Sequence, residues 1–120
     1  MYKIDFYADK NGYSEVIDYI KKLDNSNQKQ DKQILKKLYY QLDMLSNLGN
    51  EMKMPQSRFL KGYKYPLMEL RPLPERVFYA SWKKDRFVIL SHYTKKANKT
   101  DPREISKALT RLEDWLERND

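Results

Sequence analysis

The sequence predicts an α+β domain in which an antiparallel sheet packs against helices. Its first residues alternate between apolar and polar, two stretches then keep helical apolar spacing, and alternating or apolar segments fill much of the second half. We expect the 120 residues to form a single domain, residues 1–120, with a modest core. The predicted order is β-α-α-β-β-β-α, with the helices on one face of the sheet.

The first half of the chain predicts one strand followed by a helical hairpin. Tyr2, Ile4 and Phe6 alternate with polar residues, a period of two that is typical of a strand. Ser14 suits the cap of a first helix, and Gly49 suits the position just past the end of a second. The apolar faces of the two helices consist of Val16, Tyr19, Ile20 and Leu23, and of Ile34, Leu35, Leu38, Tyr39, Leu42, Leu45 and Leu48.

The second half predicts a three-stranded antiparallel meander and a closing helix. We expect residues 50–66 to be irregular, because they contain two prolines and a glycine. Strands over 67–71, 76–82 and 86–93 are joined by short connections. The run 87–90 is apolar throughout, which predicts a central strand buried on both faces. Asp101 and Glu104 form a capping box for the last helix, with Pro102 at its first position.

Positive charge is concentrated in about one third of the chain. Residues 58–99 contain eleven Lys and Arg against three acidic residues, a net charge of +8, whereas the whole chain carries +7. The rest of the sequence is therefore close to neutral. A field of one sign confined to one part of a domain favours a polyanionic partner.

Several classes of protein and of chemistry lack their characteristic residues. The chain has no cysteine, one histidine and three glycines, which excludes disulfides, thiolate metal sites, histidine pairs and glycine-rich phosphate loops. Metal-ligand spacing is also missing, so we expect neither a metal nor a cofactor. We expect a cytoplasmic protein, because no apolar run suits a membrane span or a signal peptide.

Cations and aromatic rings gather near one part of the predicted sheet. Alternation along 67–71 puts Glu69 and Arg71 on one face, and Arg76 begins the adjacent strand. Further basic or aromatic residues precede or follow the strands: Lys61, Tyr63, Lys64, Tyr65, His92, Tyr93, Lys95, Lys96 and Lys99. A groove lined in this way suits single-stranded RNA, whose phosphates lie on cations and whose bases stack on rings.

Each of these residues also has a purely structural interpretation. The alternatives are Arg71 paired with Glu69, Arg76 paired with Glu75 or Asp101, and Lys95 and Lys96 in a solvated turn. A single histidine such as His92 is more often a hydrogen-bonded structural residue than a catalyst. Only the combination points to function, and the patterns alone predict a basic nucleic-acid-binding domain.

An ordered series of motifs resembles the phage-derived, HigB-like branch of the RelE superfamily. The motifs are Leu60-Lys61-Gly62, Leu67-Met68-Glu69-Leu70-Arg71, Arg76-Val77-Phe78-Tyr79, Ile89-Leu90 running into Lys95-Lys96-Ala97-Asn98-Lys99-Thr100, and Pro102-Arg103-Glu104-Ile105. The resemblance covers essentially the whole chain. It implies a RelE-like fold and a type II toxin that cleaves mRNA in the ribosomal decoding site. No metal is involved, because the 2′-hydroxyl of the ribose attacks the adjacent phosphate.

The resemblance also implies roles for individual residues. Arg71 and Arg76 match the strand arginines that contact the phosphate, and Lys96 protonates the leaving oxygen or holds the scissile phosphate. By this resemblance, Lys95 and Lys99 hold neighbouring phosphates. Lys61 and Lys64 bind ribosomal or messenger RNA. The resemblance leaves the identity of the general base open, with Glu69, His92 and Tyr93 as candidates. The reason is that some relatives have lysines along the strand that here contains Leu67 and Glu69.

The implied partners are a HigA-type helix-turn-helix antitoxin and mRNA on the ribosome, with operator DNA bound only through the antitoxin complex. Tyr13, Tyr19 and Trp115 are candidates for the antitoxin interface or for the core. The alternative hypothesis is a non-catalytic, basic nucleic-acid-binding module of phage origin, which needs no general base. A structural protein of phage particles is a third interpretation, which the lack of repeats and of a long coiled coil disfavours.

Overall fold

The described structure contains every predicted element and one additional strand. The computed structural model describes residues 1–119, whose elements confirm the α+β class. In chain order these are β1 (Lys3–Phe6), α1 (Glu15–Asn25), α2 (Lys29–Leu48), a 3-10 helix (Gly49–Glu51), β2 (Ser57–Leu60), β3 (Leu67–Leu70), β4 (Glu75–Lys83), β5 (Arg86–Thr94) and α3 (Pro102–Asn119). Within residues 1–119, none of the helices combines the length and the apolar character that crossing a membrane requires.

The sheet is mixed, so the prediction of an antiparallel sheet is wrong at one edge. The strand order is β1-β5-β4-β3-β2. Strands β2 to β5 pair antiparallel, which confirms the meander, but β1 runs parallel to β5 with Lys3 opposite Arg86. Alternation within β1 identifies a strand but contains no information on direction, because direction depends on the neighbour with which the strand pairs.

The additional strand, β2, lies in the segment that was expected to be irregular. It forms the edge of the sheet, with Arg58 opposite Glu69 and Leu60 opposite Leu67. Leu60 turns into the core while Phe59 is exposed. Four residues between a proline and a glycine give too short a pattern to predict, and pairing with β3 is what orders them.

The helices cover both faces of the sheet, so the prediction that they share one face is wrong. Helices α1 and α2 pack on one face through Val16, Leu38 and Leu45, and α3 packs on the other through Ala108 and Leu112. The physical reason lies in β4 and β5, whose successive side chains are buried alternately on the two faces. The prediction that 87–90 form a central strand is confirmed, because β5 lies between β1 and β4.

The predicted helix ends are present with one difference. Ser14 Oγ accepts the amide hydrogen of Ile17 at 3.3 Å, and Gly49 ends α2 with a positive φ of 56°. A Cβ atom at Gly49 would overlap the ring of Tyr2, so only glycine fits there. At α3 the Asp101 carboxylate accepts the amide hydrogen of Arg103 at 2.9 Å, but Glu104 pairs with Lys107 instead of completing the capping box.

Candidate functional site

The centre of the candidate site is a carboxylate buried between two arginines. Alternation along β3 places Glu69 on the face that α3 covers, and its side chain is 0% exposed. Glu69 Oε1 lies 3.5 Å from Arg76 Nε and 4.0 Å from Arg71 Nε. The Tyr93 hydroxyl donates a hydrogen bond to Glu69 Oε2 at 3.4 Å. These four residues, which we call the arginine cluster, bring three predicted catalytic residues and one predicted RNA-binding residue together.

The Arg71 backbone is fixed by a residue that sequence reasoning missed. Gln41 Nε2 donates to the Arg71 carbonyl oxygen at 3.0 Å, and the Arg71 amide donates to Gln41 Oε1 at 3.0 Å. Gln41 is buried on the inner face of α2, in line with Leu38 and Leu45. A glutamine on an otherwise apolar helical stripe is the signal that could have identified it, because a buried amide needs partners. The packing of α2 therefore holds the Arg71 backbone in place.

The Arg76 side chain is held by two backbone carbonyl groups and lines a cleft. One of its terminal nitrogens donates to the carbonyl oxygens of Pro74 at 3.3 Å and Glu75 at 3.1 Å. Burial lowers the pKa of Arg76, and the charge of Glu69 opposes that shift. Arginine still stays protonated at neutral pH because its ordinary pKa is so high. Arg76 therefore presents a fixed positive charge to the 500 Å³ cleft that it lines with Lys95 and Lys96.

Residues 95–99 border two further clefts, which brings most of the predicted RNA-binding residues into one region. A cleft of 400 Å³ is lined by Tyr93, Thr94, Lys95, Lys96, Ala97, Lys99, Asp101 and Glu104. A cleft of 590 Å³, which we call the basic cleft, is lined by Arg58, Phe59, Leu60, Lys61, Tyr63, Asn98, Lys99, Thr100 and Ile105. Lys61 and Lys99, distant in sequence, thus share one cleft, and Tyr93, Lys95 and Lys96 share another.

The structure separates three predicted residues from these clefts. Lys64 is paired with Glu113 of α3 at 3.1 Å. Arg71 lies in the arginine cluster but opens on a small pocket beside α2 instead of the basic cleft. His92 lies on the opposite face of the sheet, because an irregularity in the pairing of β4 with β5 shifts the alternation after Ile89.

His92 belongs to a second, partly buried group on the other face of the sheet from the arginine cluster. Its ring stacks on Tyr19 of α1 with a centroid distance of 3.9 Å, and its Nδ1 lies 3.6 Å from Glu75 Oε2. The Thr94 hydroxyl donates a hydrogen bond to Glu75. Of the three candidate bases, Glu69 and Tyr93 are therefore together, and His92 is apart from them.

We expect replacement of Glu75 by glutamine to cost stability at neutral pH and little in acid. Burial disfavours the charged form of Glu75, but His92 and Thr94 outweigh it and hold its pKa below the usual 4.5. A lowered carboxyl pKa stabilises the fold above about pH 4.5, and this contribution is lost as the pH falls through the lower pKa of the folded state. Urea denaturation at pH 7 and at pH values below 4.5 measures the difference. The exposed Glu117→Gln is the control, and an equal loss for Glu75→Gln at both pH values would contradict the assignment.

The chemistry available to the site is binding of phosphate and stabilisation of negative charge. Arg76, Lys95 and Lys96 supply fixed cations, and Tyr93 supplies a hydroxyl whose pKa is raised by burial. Within residues 1–119, no group of three or more His, Asp or Glu side chains is arranged to hold a metal ion.

The chain matches the family model described as phage derived protein Gp49-like (DUF891) over residues 18–113. The match begins in α1 and ends in α3, so it includes strands β2 to β5, the arginine cluster and the basic cleft. A search of the curated proteins gave no significant match. Because the family model covers well over half of the sequence, the chain belongs to the phage-derived Gp49-like family, which is a family of RelE/HigB-type toxins.

Proposed function

We propose that this protein is the toxin of a type II toxin–antitoxin pair and that it cleaves mRNA on the ribosome. Membership of the Gp49-like family supports the toxin class. The observation that carries the proposed activity is the arginine cluster, in which Arg76 is held by Glu69 and faces a cleft shared with Lys95 and Lys96. Cations held on a strand of the sheet in this way suit phosphate binding, which supports the proposal.

The proposed reaction takes its nucleophile from the RNA. The 2′-hydroxyl gives up its proton to water as its oxygen bonds to the adjacent phosphorus. The bond to the 5′-oxygen breaks and that oxygen takes up a proton, giving a 2′,3′-cyclic phosphate and a 5′-hydroxyl. Arg76 donates to the nonbridging oxygens, where negative charge develops in the transition state, and Arg71 adds its positive charge beside Glu69 without lining this cleft. Lys96, exposed at the cleft, holds the scissile phosphate or protonates the leaving oxygen.

The geometry favours a positioning role for Glu69. Its carboxylate is fully buried and contacts Arg71, Arg76 and Tyr93. A proton from the substrate would have to pass these side chains to reach the carboxylate. Tyr93 is the base candidate that also lines a cleft. Burial raises its pKa, so it is a neutral phenol at neutral pH and suits orientation of the 2′-hydroxyl by hydrogen bonding.

The family also supports an antitoxin partner. Our proposal extends to a HigA-type helix-turn-helix antitoxin that neutralises the toxin, with operator DNA bound only by the complex. A non-catalytic nucleic-acid-binding module is the second candidate function. The observation that favours it is the burial of Glu69 between the two arginines, which leaves no obvious residue to act as the general base.

Expression of the protein without an antitoxin should arrest growth, and primer extension on translated mRNA should show discrete breaks with 5′-hydroxyl ends. Replacing Arg71 and Lys96 together with alanine should relieve the arrest and remove the breaks. Lys84→Ala changes an exposed lysine in the turn between β4 and β5 and should retain both effects. Growth arrest by the parent protein without breaks in the mRNA would favour the non-catalytic nucleic-acid-binding module. A double variant as toxic as the parent would contradict the site assignment.

A further inference from the structure

We propose that the basic cleft binds the nucleotide next to the scissile phosphate by stacking its base on Tyr63, and that Tyr63 and Asn98 determine which base is preferred there. The inference rests on the proposed RNA cleavage at the arginine cluster. It assigns a substrate subsite and two specificity-determining residues, and neither residue belongs to the arginine cluster.

The charge of the basic cleft favours a nucleic acid strand. Its lining includes the three cations Arg58, Lys61 and Lys99, and among residues 1–119 no carboxylate lines it. The neighbouring 400 Å³ cleft differs in this respect, because Asp101 and Glu104 form part of its wall. Phosphate groups are therefore better accommodated in the basic cleft.

The shape and the polar groups of the cleft favour a base as well as a phosphate. The Tyr63 side chain is 44% exposed and follows Gly62, whose positive φ of 91° turns the loop between β2 and β3. An exposed ring on a wall bordered by cations is a stacking platform for an unpaired base. Asn98 provides an amide that both donates and accepts hydrogen bonds, as recognition of a base edge requires. The volume of 590 Å³ is within the usual range of small-ligand sites.

The position of the cleft makes it the next site along the RNA. Arg58 of β2 is directly opposite Glu69 of β3, and β4 with Arg76 is the following strand. Phe78 of β4 lies opposite Glu69, so Arg58 and Arg76 are separated by two strand spacings and by two residues along the strand, which together give roughly 12 Å. Lys99 lines the basic cleft and the 400 Å³ cleft that also contains Lys96, so cations continue from one to the other. An RNA strand with its scissile phosphate at Arg76 thus extends into the basic cleft.

Affinity for RNA and the base preference at the cut site test the proposal together. The probe is a mixed-sequence RNA octamer with 2′-O-methyl riboses, which the protein cannot cleave. Tyr63→Ala should weaken octamer binding by about 10-fold, the usual effect of losing one stacked base. It should also flatten the base preference next to the cut in primer extension. Tyr63→Phe should keep both properties, because the ring is retained.

Matched controls separate this subsite from general effects on the protein. Tyr40→Ala removes a tyrosine that is 61% exposed on α2, outside the basic cleft, and should leave affinity and cut-site preference unchanged. Parental affinity and base preference in Tyr63→Ala, or no measurable octamer binding by the parent, would overturn the proposal. If octamer binding depends on Tyr63 but the parent protein cuts no mRNA, the subsite is supported and the proposed cleavage is contradicted.

Discussion

Replacing Glu69 with alanine is expected to lower the free energy of unfolding by about 3–5 kcal/mol, the usual cost of removing one partner from a buried ion pair. In the parent the carboxylate is 0% exposed and lies 3.5 Å from Arg76 Nε. Its removal leaves Arg76 buried without a counter-charge, beside the like charge of Arg71. Denaturant unfolding monitored by circular dichroism measures the loss.

Two comparison variants separate the charge effect from loss of volume and from catalysis. Glu113→Ala removes a partly exposed glutamate from its pair with Lys64 and should cost at most about 1 kcal/mol. Glu69→Leu combined with Arg76→Met replaces the pair with apolar side chains and should recover much of the stability while mRNA cleavage stays abolished. A loss below about 1 kcal/mol for Glu69→Ala would show that the arginines do not depend on this carboxylate.

The sequence predicted the elements of the fold better than their arrangement. Periodicity located the three helices and four of the five strands, because burial of one side of each element repeats along the chain. The direction of β1 and the existence of β2 depend on pairing between distant segments, which a local pattern does not encode. The distribution of helices over both faces was implied by the apolar run 87–90, since a strand buried on both sides needs cover on both sides.

The candidate site was predictable where alternation stays regular. Glu69 and Arg71 lie on the expected common face, and residues 95–98 line a cleft together with Arg76. The place of His92 could not be predicted, because one irregularity in the β4–β5 pairing reverses the faces of the residues that follow. The grouping of Arg58, Lys61 and Lys99 in one cleft could not be predicted from the sequence either, since it depends on the unpredicted strand β2.

Lys96→Ala is expected to reduce mRNA cleavage about 100-fold, the scale on which a single contact to developing transition-state charge acts. Lys96 is exposed on the wall of the cleft that also contains Arg76 and Lys95, so its removal should leave the free energy of unfolding unchanged. This combination distinguishes it from Glu69→Ala, which affects stability and activity together. Cleavage of a defined mRNA in a reconstituted translation reaction, under single-turnover conditions, gives the rate, and Lys84→Ala provides the matched lysine control.

The arginine variant at the same position identifies what the ammonium group does. Because the cleft is open and three cations line it, we expect Lys96 to hold the scissile phosphate, and Lys96→Arg should then keep most of the rate. A guanidinium does not give up its proton, so a Lys96→Arg variant as slow as Lys96→Ala would instead assign proton donation to the leaving 5′-oxygen. A parental rate in Lys96→Ala would remove Lys96 from the site and leave charge stabilisation to Arg71 and Arg76.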